Sequence, residues 1–193
     1  VVAGRGIRLL REKGLEVVAG VLRGECERQN EVFFHFMRTK LPFTVLKYAM
    51  TLDGKTATVL GKSQWITGEA ARKRVHEDRG RYMAILTGVS TVLADNPQLT
   101  CRIPGGKNPI RVIADTKLRT PLSSTVVQTA RETPTWIVTA VSDAGRKKAY
   151  EDAGCRVLSV PAKEGELDLQ AMMQRLGEEK VDSVMVESGG TLA

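Results

Sequence analysis

The sequence has no long hydrophobic run. None of its apolar stretches approaches the roughly 20 residues that a membrane-spanning helix needs. The first residues do not resemble a signal peptide, because no long apolar region follows Arg5. The chain has no initiator Met, and both of its ends look like positions inside a longer protein. We therefore expect a globular protein without a membrane partner.

Cysteine and histidine are too few and too scattered to predict a metal site. Cys26, Cys101 and Cys155 are far apart and odd in number, which does not favour a disulfide framework. His35 and His76 have no cysteine or second histidine at the spacing of zinc ligands. We expect no metal and a cytoplasmic protein, since reduced thiols are typical of that compartment.

Aromatic residues make up only 5% of the chain, and no pattern interleaves them with basic residues as on a nucleic-acid surface. The net charge is nevertheless +7, which suits nucleic acids, membranes or phosphorylated ligands. Basic residues are scattered among acids in most segments, and only 71–81 is a dense basic cluster, for which a solvated helix face is the simpler interpretation. We expect a phosphorylated small molecule as the anionic partner, and no nucleic acid.

Strand-like and helical patterns alternate from residue 43 onwards, which favours a mostly parallel sheet with helices on its faces. With 193 residues, the chain has room for one such α/β domain and part of another. The predicted strands are 43–52, 83–87, 110–114, 136–139, 156–160 and 183–187, and the predicted helices are 68–82, 142–153 and 168–178.

The residues before 43 predict a helix, a strand and a second helix. The helical pattern at 4–13 ends at Lys13-Gly14, a basic last turn followed by a glycine stop. The run 15–21 alternates toward a strand, and 25–38 carries the apolar stripe of a helix. We place a domain boundary at 39–42.

Polar residues follow the predicted strands in the middle of the chain. Asp53-Gly54 is a strong turn signal, and Thr67 with Glu69 predicts a helix start. Ligands of open α/β sheets bind beyond the carboxyl ends of strands, so we expect the functional site there. The polar residues at these ends are Asp53, Lys55, Thr87, Ser90, Thr91 and Asp95.

Three separated phrases in this region carry a family resemblance: LKYAMTLDGK at 46–55, SQWIT at 63–67 and ILTGVSTVLADNPQLTCR at 85–102. In content, order and spacing they resemble the reductase domain of the bifunctional riboflavin-biosynthesis deaminase/reductase family. The resemblance implies an α/β fold of the dihydrofolate-reductase-like type, with a mostly parallel central sheet and helices on both faces. Period and spacing alone would not distinguish this fold from a Rossmann fold.

The resemblance also implies how the chain is divided. Residues 1–41 resemble the C-terminal remnant of a deaminase-like domain plus a linker, and 42–193 resemble a reductase domain that is truncated at its C-terminus. The deaminase motif, His-x-Glu followed by Pro-Cys-x-x-Cys, is absent. We therefore do not expect deaminase activity from this chain.

The cofactor that the resemblance implies is NADPH. Lys117 or Arg119, beyond a predicted strand, would pair with its 2′-phosphate. On local evidence alone, Trp65 would also fit a position in the core. The 94–97 segment and the final Gly-Gly would each also fit an ordinary turn. The implied cofactor-binding residues are Ala49, Trp65, Thr91, Asp95, Thr116, Gly189 and Gly190.

The implied substrate is a phosphorylated pyrimidine. Guanidinium groups suit a phosphate monoester, although Arg79 and Arg102 taken alone would also fit surface arginines. The implied substrate-binding residues are Ser63, Arg79, Leu99, Arg102 and Glu187. Lys47 and Asp95 are our candidates for catalytic proton management, because both are ionisable and fall at the edge of the site.

The implied reaction is the NADPH-dependent reduction of the ribosyl group of 5-amino-6-(5-phosphoribosylamino)uracil to the ribityl form in riboflavin biosynthesis. Two alternatives stay open. One is a dihydrofolate-reductase-like reductase of another pterin or pyrimidine, which should lack a phosphate-binding arginine pair. The other is a non-catalytic fragment. The oligomeric state is also open, with a homo-oligomer among the alternatives.

Overall fold

The computed structural model describes residues 4–59, 66–189 and 192. Its centre is a six-stranded sheet in which every neighbouring pair of strands runs parallel. The strands of this sheet are β1 (Phe43–Lys47), β2 (Ala84–Gly88), β3 (Ile110–Ala114), β4 (Thr135–Thr139), β5 (Arg156–Ser159) and β8 (Ser183–Glu187). Their order is β1-β8-β2-β3-β4-β5, so the last strand in sequence lies between the first two.

Helices and one short hairpin complete the described structure. The hairpin pairs β6 (Ala162–Lys163) with β7 (Glu166–Leu167) in antiparallel fashion. The helices are α1 (Arg5–Glu12), α2 (Arg23–Gln29), α3 (Glu31–Thr39), α4 (Glu69–Arg81), α5 (Val89–Asp95), α6 (Thr125–Gln128), α7 (Ala144–Asp152) and α8 (Leu169–Glu178). Within the described ranges, no helix combines the length and the apolar character that crossing a membrane requires.

The central strands send alternate side chains into two hydrophobic clusters. On one face, Leu86 of β2 belongs to a cluster with Met172 of α8. On the other face, Ile85 belongs to a cluster with Val126 of α6 and Tyr150 of α7. The predicted parallel sheet with helices on both faces is therefore confirmed.

Strand β3 also carries a buried arginine. Arg111 is 0% exposed, and burial lowers its pKa to about 10. Its guanidinium donates to the carbonyl oxygens of Gln98 at 3.2 Å, Val126 at 3.1 Å, Thr129 at 3.1 Å and Thr133 at 2.7 Å. These bonds join the segment after α5 to α6 and to the turn that follows it.

Several predicted elements are confirmed closely. The runs 110–114 and 183–187 are β3 and β8, and 168–178 is α8 with Asp168 as its N-cap, accepting the Ala171 N–H. The glycine stop after the first helix is also confirmed, because Gly14 has a φ of 78°. These elements depend on local periodicity and capping, which a short window of sequence contains.

The first predicted strand, 43–52, is too long. β1 ends at Lys47, in register with Glu187, where its partner β8 also ends. Residues beyond Lys47 therefore have no parallel neighbour to hydrogen-bond. The turn predicted at Asp53-Gly54 is present, with the Gly54 N–H donating to the Thr51 carbonyl at 2.9 Å.

Two predictions in the N-terminal part are wrong. Residues 15–21 form no strand, because no described strand lies beside them. The helix predicted at 25–38 is broken at Asn30, whose φ is −112° and whose Nδ2 donates to the Cys26 carbonyl at 2.9 Å. None of the residues of α1, α2 and α3 is buried.

Three short elements were not predicted. They are α5, which begins directly after β2, the four-residue α6, and the β6–β7 hairpin. Each is shorter than the window over which periodicity distinguishes helix from strand.

Candidate functional site

The first group of polar side chains forms around Glu187 at the end of β8. Arg79 of α4 makes a bidentate ion pair with it, with Nε–Oε1 at 2.7 Å and Nη2–Oε2 at 2.9 Å. Lys47, its register partner on β1, places Nζ 3.6 Å from Oε2. The side chains of Glu187 and Arg79 are only 9% and 12% exposed. We call these three residues, together with His76 and Arg102, the Glu187 cluster.

Glu187 is ionised at neutral pH. Burial acts to raise its pKa, but the hydrogen bonds and the charge of Arg79, with help from Lys47, lower the pKa below its ordinary value of 4.5. An ionised carboxylate only accepts hydrogen bonds. Glu187 can therefore accept a hydrogen bond from a hydroxyl or an N–H group, and its substrate-binding role stays a prediction.

The same helix holds the segment that carries Arg102. Arg79 donates from Nη1 to the Thr100 carbonyl at 3.1 Å. His76 accepts the Arg102 backbone N–H at Nδ1, 3.3 Å away, and its carbonyl accepts the Cys101 thiol at 3.1 Å. Three consecutive residues are thus fixed to one face of α4, and the Arg102 side chain remains exposed.

Leu99 lies in the core rather than at the surface. Its side chain is 3% exposed, and its φ of 54° is in the left-handed region that few non-glycine residues adopt. Burial of the side chain holds this conformation in place. Any contact with a ligand would therefore come from the Leu99 backbone, and its substrate-binding role stays a prediction.

The two candidates for proton management lie in different surroundings. Lys47 is part of the Glu187 cluster and is 33% exposed. Asp95 is the exposed last residue of α5, next to Asn96, whose Oδ1 accepts the Thr125 N–H at 2.8 Å. Across the described part of the chain, no hydrogen bond or ion pair joins Asp95 to Lys47. Both catalytic roles stay predictions.

The second group of polar residues follows β3. Asp115 is 0% exposed, and its Oδ2 accepts both the backbone N–H and the hydroxyl of Thr120 at 2.7 Å. Tyr150 of α7 donates its hydroxyl to the Thr120 carbonyl, also at 2.7 Å. We call residues 115–120 the 115–120 loop. Its backbone is fixed at both ends by buried polar side chains.

Exposed cations lie along this loop. Lys117 and Arg119, predicted to meet a 2′-phosphate, both have exposed side chains. Arg146 of α7 donates to the carbonyls of Lys117 at 2.7 Å and Leu118 at 3.2 Å, which brings a third guanidinium or ammonium group to the loop. The loop therefore carries positive charge on a preordered backbone.

The other predicted cofactor-side residues are spread along the same edge of the sheet. Ala49 and Thr91 are half-buried, just after β1 and on α5. The Thr116 hydroxyl donates to Glu166 Oε2 of the hairpin at 3.0 Å. A Cβ at Gly189 would meet no atom of the described residues within 4 Å, so this backbone is open to a ligand.

Some predicted residues cannot be placed. Ser63, Trp65 and Gly190 lie outside the described residues. Across the ranges that are described, no three His, Cys, Asp or Glu side chains are grouped so as to hold a metal ion.

Four site residues were not predicted: His76, Asp115, Arg146 and Glu166. His76 had an available signal, because residues three apart on a helix share a face and Arg79 was already a candidate. Asp115 follows a predicted strand, which is also a signal. Nothing in the local sequence connects Arg146 or Glu166 to the residues after β3.

Comparison with known families decides the relationship of this chain. The family model described as RibD C-terminal domain matches residues 42–193. The chain belongs to this family. The predicted resemblance to the riboflavin-biosynthesis reductase domain is thereby confirmed.

Individual relatives agree with the RibD C-terminal domain family. The chain is 49% identical to the riboflavin biosynthesis protein RibD of Actinobacillus pleuropneumoniae over 191 residues, which covers 99% of this chain and 51% of that protein. Against RibD of Escherichia coli the identity is 37%, covering all of this chain and 54% of the relative. The chain thus spans about half the length of the curated relatives it matches.

Solved structures support the same fold. A deaminase/5-amino-6-(5-phosphoribosylamino)uracil reductase from Thermotoga maritima has a TM-score of 0.78 and 36% identity, covering 96% of this chain and 49% of that one. The riboflavin biosynthesis reductase Rib7 of Saccharomyces cerevisiae has a TM-score of 0.61 and 26% identity, covering 80% and 66%. The predicted reductase-like α/β fold is confirmed.

Proposed function

We propose that this chain is an NADPH-dependent reductase that converts the ribosyl group of 5-amino-6-(5-phosphoribosylamino)uracil into the ribityl form in riboflavin biosynthesis. The observation that carries the proposal is the Glu187 cluster. A shielded carboxylate is held ionised by Arg79 and Lys47, and an exposed Arg102 is tied to the same helix. These groups match the hydrogen-bond donors and the phosphate of such a substrate. The names of the relatives favour this reaction over the reduction of another pterin.

In this proposal, Arg102 binds the phosphate of the substrate. The Arg79 guanidinium uses Nε, Nη1 and Nη2 to bond Glu187 and Thr100, so most of its fork is committed within the protein. Arg102 is exposed and binds its neighbours through its backbone. A free guanidinium binds a phosphate bidentately, and Arg79 adds charge next to it.

The residues on the other side of the site fit NADPH. The cations Lys117, Arg119 and Arg146 lie at the 115–120 loop and suit a 2′-phosphate. The open backbone at Gly189 suits a diphosphate, because a side chain there would occupy the space the ligand needs. The 115–120 loop and Gly189 both lie at the carboxyl edge of the sheet, because β2 pairs in register with β3 (Gly88↔Ala114) and with β8 (Leu86↔Val186).

The chemistry divides between the cofactor and the chain. NADPH, when bound, supplies hydride to the carbon of the opened, imine or aldehyde-like ribosyl group. Glu187 accepts hydrogen bonds from the sugar or the uracil and so orients that carbon. Lys47, with its ammonium 3.6 Å from Glu187 Oε2, is the group we place to deliver a proton at this edge. Asp95 remains the second candidate.

We propose further that residues 42–193 form the reductase unit and that 1–41 belong to a separate deaminase-like unit and linker. The family match, which begins at residue 42, supports this division. The exposed surfaces of α1, α2 and α3 are in keeping with it.

The test is a reductase assay on the purified chain. We expect NADPH absorbance to fall only when 5-amino-6-(5-phosphoribosylamino)uracil is present, and deuterium from labelled NADPH to appear in the ribityl product by mass spectrometry. Dihydrofolate serves as the competing substrate. Turnover of dihydrofolate alone, or no turnover of the ribosyl substrate by the chain and by a longer RibD-length protein, would reject the proposal.

A further inference from the structure

One helical turn of α4 contacts every residue of the 100–102 segment. The Arg79 side chain binds the Thr100 carbonyl, the His76 carbonyl binds the Cys101 thiol, and the His76 ring binds the Arg102 amide. The last of these contacts differs from the others, because its acceptor is a side-chain nitrogen that titrates. Nδ1 accepts the Arg102 N–H only when it carries no proton.

The surroundings of His76 keep the ring neutral. Burial lowers its pKa below the ordinary value of 6.5, and the positive charges of Arg79 on the same helix and Arg102 on the facing segment lower it further. The Thr100 backbone and Glu187 of β8 act in the opposite direction but do not outweigh these effects. The ring is therefore neutral at neutral pH, and its contact with the Arg102 N–H favours the tautomer that carries the remaining proton on Nε2.

Asn108 also anchors the 100–102 segment, but it binds Cys101 rather than Arg102. Asn108 Oδ1 accepts the Cys101 N–H at 3.0 Å, so Cys101 is fixed from two sides. Arg102 is the last residue of the segment and has the His76 ring as its backbone anchor. This contact holds the backbone from which the exposed Arg102 side chain extends.

We infer that His76 is a positioning residue: its neutral Nδ1 fixes the Arg102 backbone and thereby sets the geometry in which Arg102 binds the substrate's phosphate. The inference rests on the proposed function and deepens it. His76 does not touch the reacting atoms and acts through Arg102. Protonation of Nδ1 at low pH replaces the acceptor with a donor and releases the Arg102 backbone, while Thr100 and Cys101 keep their other contacts.

Two substitutions at His76 distinguish the effect of the hydrogen-bond acceptor from the effect of the ring's volume. His76→Asn keeps an oxygen or nitrogen near the position of Nδ1, and His76→Leu fills similar space without an acceptor. Lys73→Leu, at an exposed position on the same helix, is the matched control. The probe is ribose 5-phosphate, with ribose as its phosphate-free counterpart, measured by calorimetric titration without NADPH.

Loss of one hydrogen bond corresponds to about a fivefold change in affinity. We therefore expect His76→Leu to weaken ribose 5-phosphate binding by about fivefold. We expect His76→Asn and Lys73→Leu to bind it as the wild type does, and ribose binding to be the same in all four proteins. Equal weakening in His76→Leu and His76→Asn, no weakening in either, or no phosphate-dependent binding by the wild type would each overturn the inference.

A measurement on the unmutated protein guards against misfolded variants. The Arg102 amide resonance should shift with pH below 6.5 in the wild type, in step with the His76 ring. In His76→Asn it should not. The phosphate itself titrates near pH 6, so this titration is run without ligand. If the Arg102 amide resonance did not shift as the His76 ring titrates, the contact between them would be contradicted directly.

The two proposals fail in different ways. If the binding pattern holds while the wild type does not oxidise NADPH with the ribosyl substrate, the reductase function is wrong and the role of His76 in phosphate binding stands. If the enzyme is active but both His76 variants bind ribose 5-phosphate normally, the positioning role alone is wrong.

Discussion

The Glu187 cluster and the 115–120 loop lie at the same edge of the sheet but are built in different ways. The cluster joins residues that are far apart in sequence, since Arg79 and Glu187 are separated by 108 positions. The loop is held mainly by bonds across five positions, from Asp115 to Thr120, with α7 supplying the rest. The first depends on charge and on correct packing of α4, and the second on a local turn.

This difference predicts which substitutions change the stability of the protein and which change ligand binding. Removing one charge from the cluster leaves its partner unpaired in a position shielded from water, and an unpaired buried charge lowers the free energy of unfolding. The loop presents its cations in water, where each contributes through the ligand rather than through folding. We therefore expect the substitutions below to separate effects on stability from effects on binding.

The largest effect is expected from Glu187→Ala. It leaves the Arg79 guanidinium, 12% exposed, without its carboxylate, and breaking such a pair typically costs about 3–5 kcal/mol. We expect the free energy of unfolding in urea to fall by about 3 kcal/mol. The matched control is Arg74→Ala, because Arg74 pairs with Asp78 on the same helix but is 64% exposed. A Glu187→Ala protein as stable as the control would show that the pair contributes nothing.

The cations of the 115–120 loop should determine the choice of cofactor. We expect the wild type to prefer NADPH over NADH, and Lys117→Ala or Arg119→Ala to lose about 1.5–3 kcal/mol of NADPH affinity with NADH affinity unchanged. Unfolding free energy should stay the same, in contrast to Glu187→Ala. Fluorescence titration with both cofactors measures this, with Lys148→Ala as a control, since Lys148 pairs with Asp152 at the surface. Equal wild-type affinity for the two cofactors would refute the assignment.

Arg102→Ala tests the phosphate contact within the Glu187 cluster. We expect the KM for the ribosyl substrate to rise by about tenfold, equivalent to about 1.4 kcal/mol, with NADPH affinity little changed. Arg102→Lys should recover only part, because an ammonium group cannot bind bidentately. Arg79→Ala should raise the KM as well, but it also breaks the ion pair with Glu187. Steady-state kinetics on the substrate and its dephosphorylated analogue decide the matter. A variant that discriminates between the two as the wild type does would show that Arg102 is a surface residue.

The smallest effect concerns pH. The folded-state pKa of Glu187 lies below 4.5, so its contribution to stability is complete above that value and is lost as the pH falls through the folded pKa. Glu187→Gln, which cannot ionise, should lose less stability than the wild type over that interval. Urea unfolding of both proteins from pH 6 downward measures the difference. Parallel curves would mean that Glu187 is not held ionised by its partners.

Much of the sheet was predictable because its signals are local. Apart from Arg111, the run 110–114 is apolar and is flanked by turn residues, and 168–178 begins at an aspartate that caps a helix. The candidate site was predictable in part, since the family phrases include Lys47, Arg102 and Asp95. Their roles in the reaction stay predictions.

The missed parts share a physical cause. β1 was predicted to run to residue 52, but a strand extends only as far as its neighbour, and β8 ends at Glu187. Asn30 breaks the predicted helix, whose apolar residues lie after it in α3, whereas α2 before it is polar. Arg146 and Glu166 meet the residues after β3 through contacts that no local window contains.

The sequence by itself determined the family, the alternation of strands and helices, and most of the residue types at the site, because periodicity, caps and motif spacing are properties of neighbouring residues. The tertiary structure decided which charges meet. Arg79 pairs with Glu187 because the sheet order places β8 beside β2, and the neutral ring of His76 faces the Arg102 amide because the 100–102 segment lies against α4. Long-range pairing of this kind depends on the packing of whole elements, which no stretch of sequence specifies alone.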